Sequence, residues 1–146
     1  MSRMRILIAT LSFVLCASPT LGDDVADRVK AIASEVEDIS IGGSWQDGDR
    51  GGAYRLVVTR SGGEKTATRL FVQWIEYTET GATVAETTEI TEFAELSLDI
   101  MSLSSESEAD GLSVFIETIN DSGDLGDTYE LHVFSPREYR FGPASN

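Results

Sequence analysis

The sequence predicts a mainly β domain, an antiparallel meander of five to six strands forming a sandwich or a curved sheet, with one N-terminal amphipathic α-helix. Three observations point there. Apolar residues recur with a period of two from Ile39 onward. The breakers between these runs are short clusters of Gly, Asn, Asp and Ser, too short for a crossover helix, so neighbouring strands pair antiparallel. Beyond residue 22 the only prolines are Pro136 and Pro143, near the C-terminus, so none interrupts a strand run.

Met1 to Gly22 has the order of a secretory signal peptide. Arg3 and Arg5 precede an apolar run from Ile6 to Ala17, then Pro19, Thr20, Leu21 and Gly22, with small residues where cleavage after Gly22 needs them. The apolar run is shorter than the roughly 20 residues that span a bilayer. Phe13-Val14-Leu15 lacks the small residue expected before a lipidated Cys16. Residues 23–146 are therefore expected as a single exported domain, with no transmembrane segment after cleavage. The cut also removes Cys16, the only cysteine, so the domain is held by its core without a disulfide.

Residues 24–38 place Val25, Val29, Ile32 and Val36 at helical spacing, with acids and bases on the opposite face. Glu37 and Asp38 oppose the helix dipole at its far end, so fraying is expected there. Tyr54, Leu56 and Val58, then Leu70, Val72 and Trp74, alternate with polar or outward residues, and Ser61-Gly62-Gly63-Glu64 joins them as a hairpin turn. Ala94, Leu96, Leu98 and Ile100 form a further alternation, with Glu95, Ser97 and Asp99 pointing the other way. Residues 86–96 also carry Glu at every third position beside Ile90, Phe93 and Leu96, a helix-compatible pattern, but the threonines favour strand. Leu112 to Ile116 and Tyr129 to Val133 supply two more strands.

The charge is 25 acids against 11 bases, a net of -14, which becomes -16 once Arg3 and Arg5 are removed. It is localised. From Leu70 to Pro136 there are fifteen acids and no Lys or Arg, whereas residues 23–69 hold nine acids and seven bases. A nucleic-acid partner is excluded on electrostatic grounds. The acidic block fits a solubilising face, a docking surface for a basic protein partner, or a divalent-cation site.

Asp47-Gly48-Asp49-Arg50-Gly51-Gly52 begins like a calcium loop but has Gly51 and Val58 where ligands are required, so it reads as a turn. Asn120 to Asp127 packs three aspartates, and Asp121, Asp124 and Asp127 are the candidate Ca2+ ligands. His132 is the sole imidazole, on the face opposite Leu131 and Val133. No Gly-x-Ser-x-Gly elbow is present. Trp45, following Gly42-Gly43-Ser44, is the aromatic most expected to be exposed. Trp45, Glu95 and Asp99 are the candidate interaction residues. These features describe an exported, periplasmic, non-catalytic interaction or accessory protein. Two alternatives stay open: a small carbohydrate-active hydrolase working with two carboxylates, and a calcium-stabilised β domain.

Overall fold

The computed structural model describes residues 21–62, 67–120 and 122–145, with side chains from residue 24. The expected signal segment, apart from Leu21 and Gly22, lies outside the described residues, as do Asp121 and the tip of the turn after Gly62. Two compact units are present, Met1–Ile32 and Ala33–Asn146. In the first, helix α1 spans Leu21–Lys30 and carries the ion pairs Arg28–Asp24 at 2.7 Å and Lys30–Asp27 at 3.1 Å. The helical spacing predicted through residue 38 is not realised. After Lys30 the chain turns, and strand β1 (Val36–Asp47) begins at the last apolar residue of the predicted helix. β-branched Val36, Ile39 and Ile41 favour strand there, and the Arg60 amide bonds the Glu35 carbonyl at 2.7 Å, extending the ladder before β1 begins.

The second unit is mainly β, with eight strands instead of five to six. β1 is followed by β2 (Arg50–Ser61), β3 (Ala67–Thr78) and β4 (Gly81–Glu89), which form one four-stranded antiparallel sheet in sequence order. A short helix α2 (Thr91–Leu96) leads to β5 (Asp99–Glu108), β6 (Gly111–Ile119), β7 (Leu125–Ser135) and β8 (Glu138–Pro143), the second such sheet. The expected hairpin from Tyr54 to Trp74 is the β2–β3 pair, with Leu56 opposite Val72 and Tyr54 opposite Trp74.

The strand expected through Ala94 to Ile100 is overturned only as far as Leu96; the strand begins at Asp99, and Leu98 and Ile100 pack against the core as the alternation predicted. Helix formers at Glu92, Ala94, Glu95 and Leu96 favour a turn of helix, and Ser97 closes it in the left-handed conformation at φ 53°. The inward residues of this segment are therefore Ile90 and Phe93, both fully buried, while Leu96 remains 37% exposed.

The inner faces of the two sheets share one core. Tyr54, Leu56, Val58, Leu70, Val72 and Trp74 come from the first sheet, and Leu112, Val114, Ile116, Tyr129, Leu131 and Val133 from the second. Phe93 plugs one side, edge-on to Phe141 at 6.0 Å, and Phe141 stacks on Tyr129 at 5.3 Å.

Candidate functional site

The direction of the strands decides where a site can form. β1 and β5 lie at adjacent sheet edges and run the same way: Glu37 to Ser40 face Ile100 to Leu103 across a groove, and further along Ser44 meets Ser107. The Ser107 hydroxyl accepts from the Ser44 amide at 2.8 Å and donates to the Ser44 carbonyl at 3.2 Å. Because both meanders start in the same direction, the turns β1–β2, β3–β4, β5–β6 and β7–β8 all gather at one end of the sandwich.

At that end two adjoining open clefts, of about 510 and about 370 Å³, share Trp45, Gln46, Tyr54 and Phe134 as walls. The larger adds Tyr77, Ser107, Glu108 and Asp110; the smaller adds Asp47, Arg50, Trp74 and Glu86. Trp45 reaches this position through a bulge. Ile39 and Ile41 point outward, and strict alternation would carry Trp45 with them. The register shift between Ile41 and Gly43 inverts the alternation and turns Trp45 inward, opposite Gly52. Gly43 makes this possible, with φ 137° and a position where a Cβ would fall onto the Ser107 hydroxyl. Gly52 is equally constrained, since a Cβ there would overlap the Ile75 carbonyl. The Trp45 indole N–H donates to that carbonyl at 3.1 Å, which fixes the ring half-buried and leaves part of it as cleft wall.

Tyr54 forms the floor, 5% exposed and edge-on to Trp74 at 5.7 Å. Burial pushes its phenol above the usual tyrosine value, so it stays neutral. Tyr77 stands at the rim, 60% exposed. Phe134 arrives from the irregularity between Val133 and Ser135, stacked near His132 and capped by the Arg140 guanidinium at 5.8 Å. Arg50 sits 6.0 Å from the Trp45 ring and holds Glu76 through two bonds of 2.9 and 2.8 Å. That double hydrogen bond, with the charge of Arg50, draws the Glu76 carboxyl below its ordinary value.

Behind the larger cleft, a polar chain runs along the outer face of the second sheet. The buried Ser113 hydroxyl donates to Glu108 at 2.5 Å and meets His132 Nδ1 at 2.9 Å, and His132 Nε2 lies 2.9 Å from Glu130. The Ser113 hydroxyl is only 2% exposed as a residue, so this trio anchors Glu108 rather than presenting a nucleophile.

The predicted site residues are not brought together. Trp45 is in the cleft. Glu95 is exposed on α2 instead of sharing a strand face with Asp99. Asp99, at the opposite end of β5 from the cleft, accepts from Thr68 at 2.7 Å and pairs with Arg60 at 3.1 Å, tying the two sheets. In the β6–β7 connection, Asp124 and Asp127 are exposed. Asn120 organises the turn, its side-chain oxygen accepting from the Ser122 and Asp124 amides. Among the described residues no three His, Cys, Asp or Glu side chains converge as metal ligands, and no helix is long and apolar enough to cross a membrane. Phe134 and Glu108 were not singled out from the sequence. The signal was their place beside odd-numbered hairpin turns, which is readable only once the strand count is right.

Comparison with protein-family models, curated proteins and solved structures finds no match for this chain.

Proposed function

We propose that the protein is an exported, non-catalytic binding domain that engages a partner at the turn-bearing end of its sandwich. The observation that carries this reading is the aromatic cleft: Trp45, Tyr54, Tyr77 and Phe134 converge from four different strands on one concave surface. Aromatic side chains with a polar handle give large contact area at low entropic cost, and soluble domains seldom leave several of them around an open concavity without a ligand. The signal-like residues 1–22 support export, and the base-free stretch from Leu70 to Pro136 supports a partner of opposite charge.

A photo-crosslinking amino acid at Tyr77, tested in the envelope of the producing cell, checks the reading. A discrete adduct is expected from position 77 and none from Leu125, a 75% exposed residue at the other end of the sandwich. Equal labelling from both positions, or none from 77, argues the reading away. A second reading, the two-carboxylate hydrolase, is favoured by the presence of Glu108 and Asp110 in the same cleft. Glycan cleavage abolished by Glu108→Gln would put it in place of the first.

A further inference from the structure

Resting on the binding reading, we infer that the larger cleft takes an arginine side chain from a basic segment of the partner. Its lining holds two carboxylates, Glu108 and Asp110, and no Lys or Arg. Among the described residues neither carboxylate has a salt-bridge partner, whereas Glu37, Glu76, Glu89 and Asp99 are all paired with arginines of the first sheet. The cleft thus sets two carboxylates that hold no ion pair beside low-dielectric aromatic walls, a combination that attracts cations.

The walls are suited to a guanidinium in particular. Arg50 already lies over Trp45 and Arg140 over Phe134, both at the separations of a cation facing a ring. Each is an internal instance of the contact inferred for the ligand. A guanidinium is planar and weakly hydrated, so it stacks on an indole or phenol while its fork bonds a carboxylate in the same plane. Glu108 is prepared for that role, because the Ser113 hydroxyl holds one of its oxygens and fixes the carboxylate's orientation. A neutral sugar uses the aromatic platform and donates hydroxyl hydrogen bonds to the carboxylates but leaves their charge unneutralised, whereas an arginine stacks on the rings and neutralises that charge.

The test is fluorescence anisotropy of a labelled tetra-arginine peptide on the full chain, beside a tetra-lysine peptide and a cello-oligosaccharide. Saturable binding of the arginine peptide is expected, weaker for lysine and absent for the sugar. It should weaken further as ionic strength rises from about 0.05 to about 0.5 M. Tyr77→Ala and Asp110→Asn should each reduce affinity about tenfold, a loss of about 1.4 kcal/mol. Glu117→Gln and Asp124→Asn, which remove the same charge at the opposite end of the sandwich, should leave affinity unchanged. Equal loss from all four variants would reduce the effect to general electrostatics and overturn the inference, as would preferential binding of the sugar. If position 77 crosslinks a partner that tetra-arginine does not displace, the arginine assignment falls and the binding reading stands. If arginine binds but nothing crosslinks, it is the binding reading that falls.

Discussion

Replacing Phe93 with alanine, beside the same change at Leu96, tests the helical assignment of the segment between the two sheets. A strand through residues 94–100 puts Leu96 inside and Phe93 outside. Helix α2 does the reverse, with Phe93 fully buried against Phe141 and Leu96 37% exposed. Truncating a fully buried phenylalanine costs about 3–5 kcal/mol from lost transfer energy and the cavity left behind. Truncating the partly exposed leucine costs about 1 kcal/mol. The sandwich unit, Ala33–Asn146, has 114 residues. At about 2.1 cal/mol/K of unfolding entropy per residue, each kcal/mol shifts the midpoint by about 4 °C. Phe93→Ala should therefore lower Tm by about 12–20 °C and Leu96→Ala by about 4 °C, read by calorimetry and by urea titration followed by circular dichroism. A larger loss at Leu96 than at Phe93 would refute the helical placement, and so would near-equal losses under about 1 kcal/mol.

Gly43→Ala should cost about 1–3 kcal/mol, because it forces alanine to φ 137° and drives a methyl into Ser107; an unchanged urea midpoint contradicts the bulge. Tyr139→Phe should cost about 0.5–1.5 kcal/mol by removing the 2.6 Å bond its hydroxyl donates to Glu92, and a neutral result counts against that contact. Acidification tests the arginine pairs. The side-chain hydrogen bonds and charges of Arg50 and Arg69 hold the Glu76 and Glu89 carboxyls below their ordinary value of 4.5. A carboxyl whose folded value is lowered stabilises the fold above pH 4.5, and that contribution is lost as pH falls through the lowered value. Tm should thus drop on acidification from that point, and less steeply in Glu89→Gln; identical profiles for the two proteins would be the contrary outcome.

The β2–β3 hairpin was legible because nothing disturbs its alternation: every second residue from Tyr54 to Val58 and from Leu70 to Trp74 is buried. The first strand was hidden for two reasons. Val36 continues the helical spacing of Val25, Val29 and Ile32, so a periodicity argument runs past the end of the helix. The bulge at Gly43 then breaks the two-residue period, so Ile39, Ile41 and Trp45 share parity but not a face. The same bulge explains why Trp45, expected as an exposed aromatic, is half-buried and fastened to Ile75. In the segment from Ile90 to Ile100, two patterns overlap. The choice between them rests on tertiary contacts of Phe93 that no local pattern contains. Of the cleft residues, only Trp45 was legible as a candidate in the sequence. The assembly of the cleft depends on all the odd-numbered turns falling at one end, which follows from the strand count and the shared direction of β1 and β5.

Each sheet of the sandwich is contiguous in sequence and pairs only with itself, and only α2 and the residues on either side of it connect the two. The backbone ladders therefore close over short loops, which keeps contact order low for an all-β chain and lets each meander zip up hairpin by hairpin before the halves dock. A chain cut at Ser97 would yield two fragments that each retain every ladder of their own sheet. They would lack the apolar face that the other half covers and the few side-chain bonds between the sheets. That division makes the protein suited to fragment complementation, with reassembly driven by burial of the shared core and guided by the Arg60–Asp99 pair and the Ser44–Ser107 tie that span the cut.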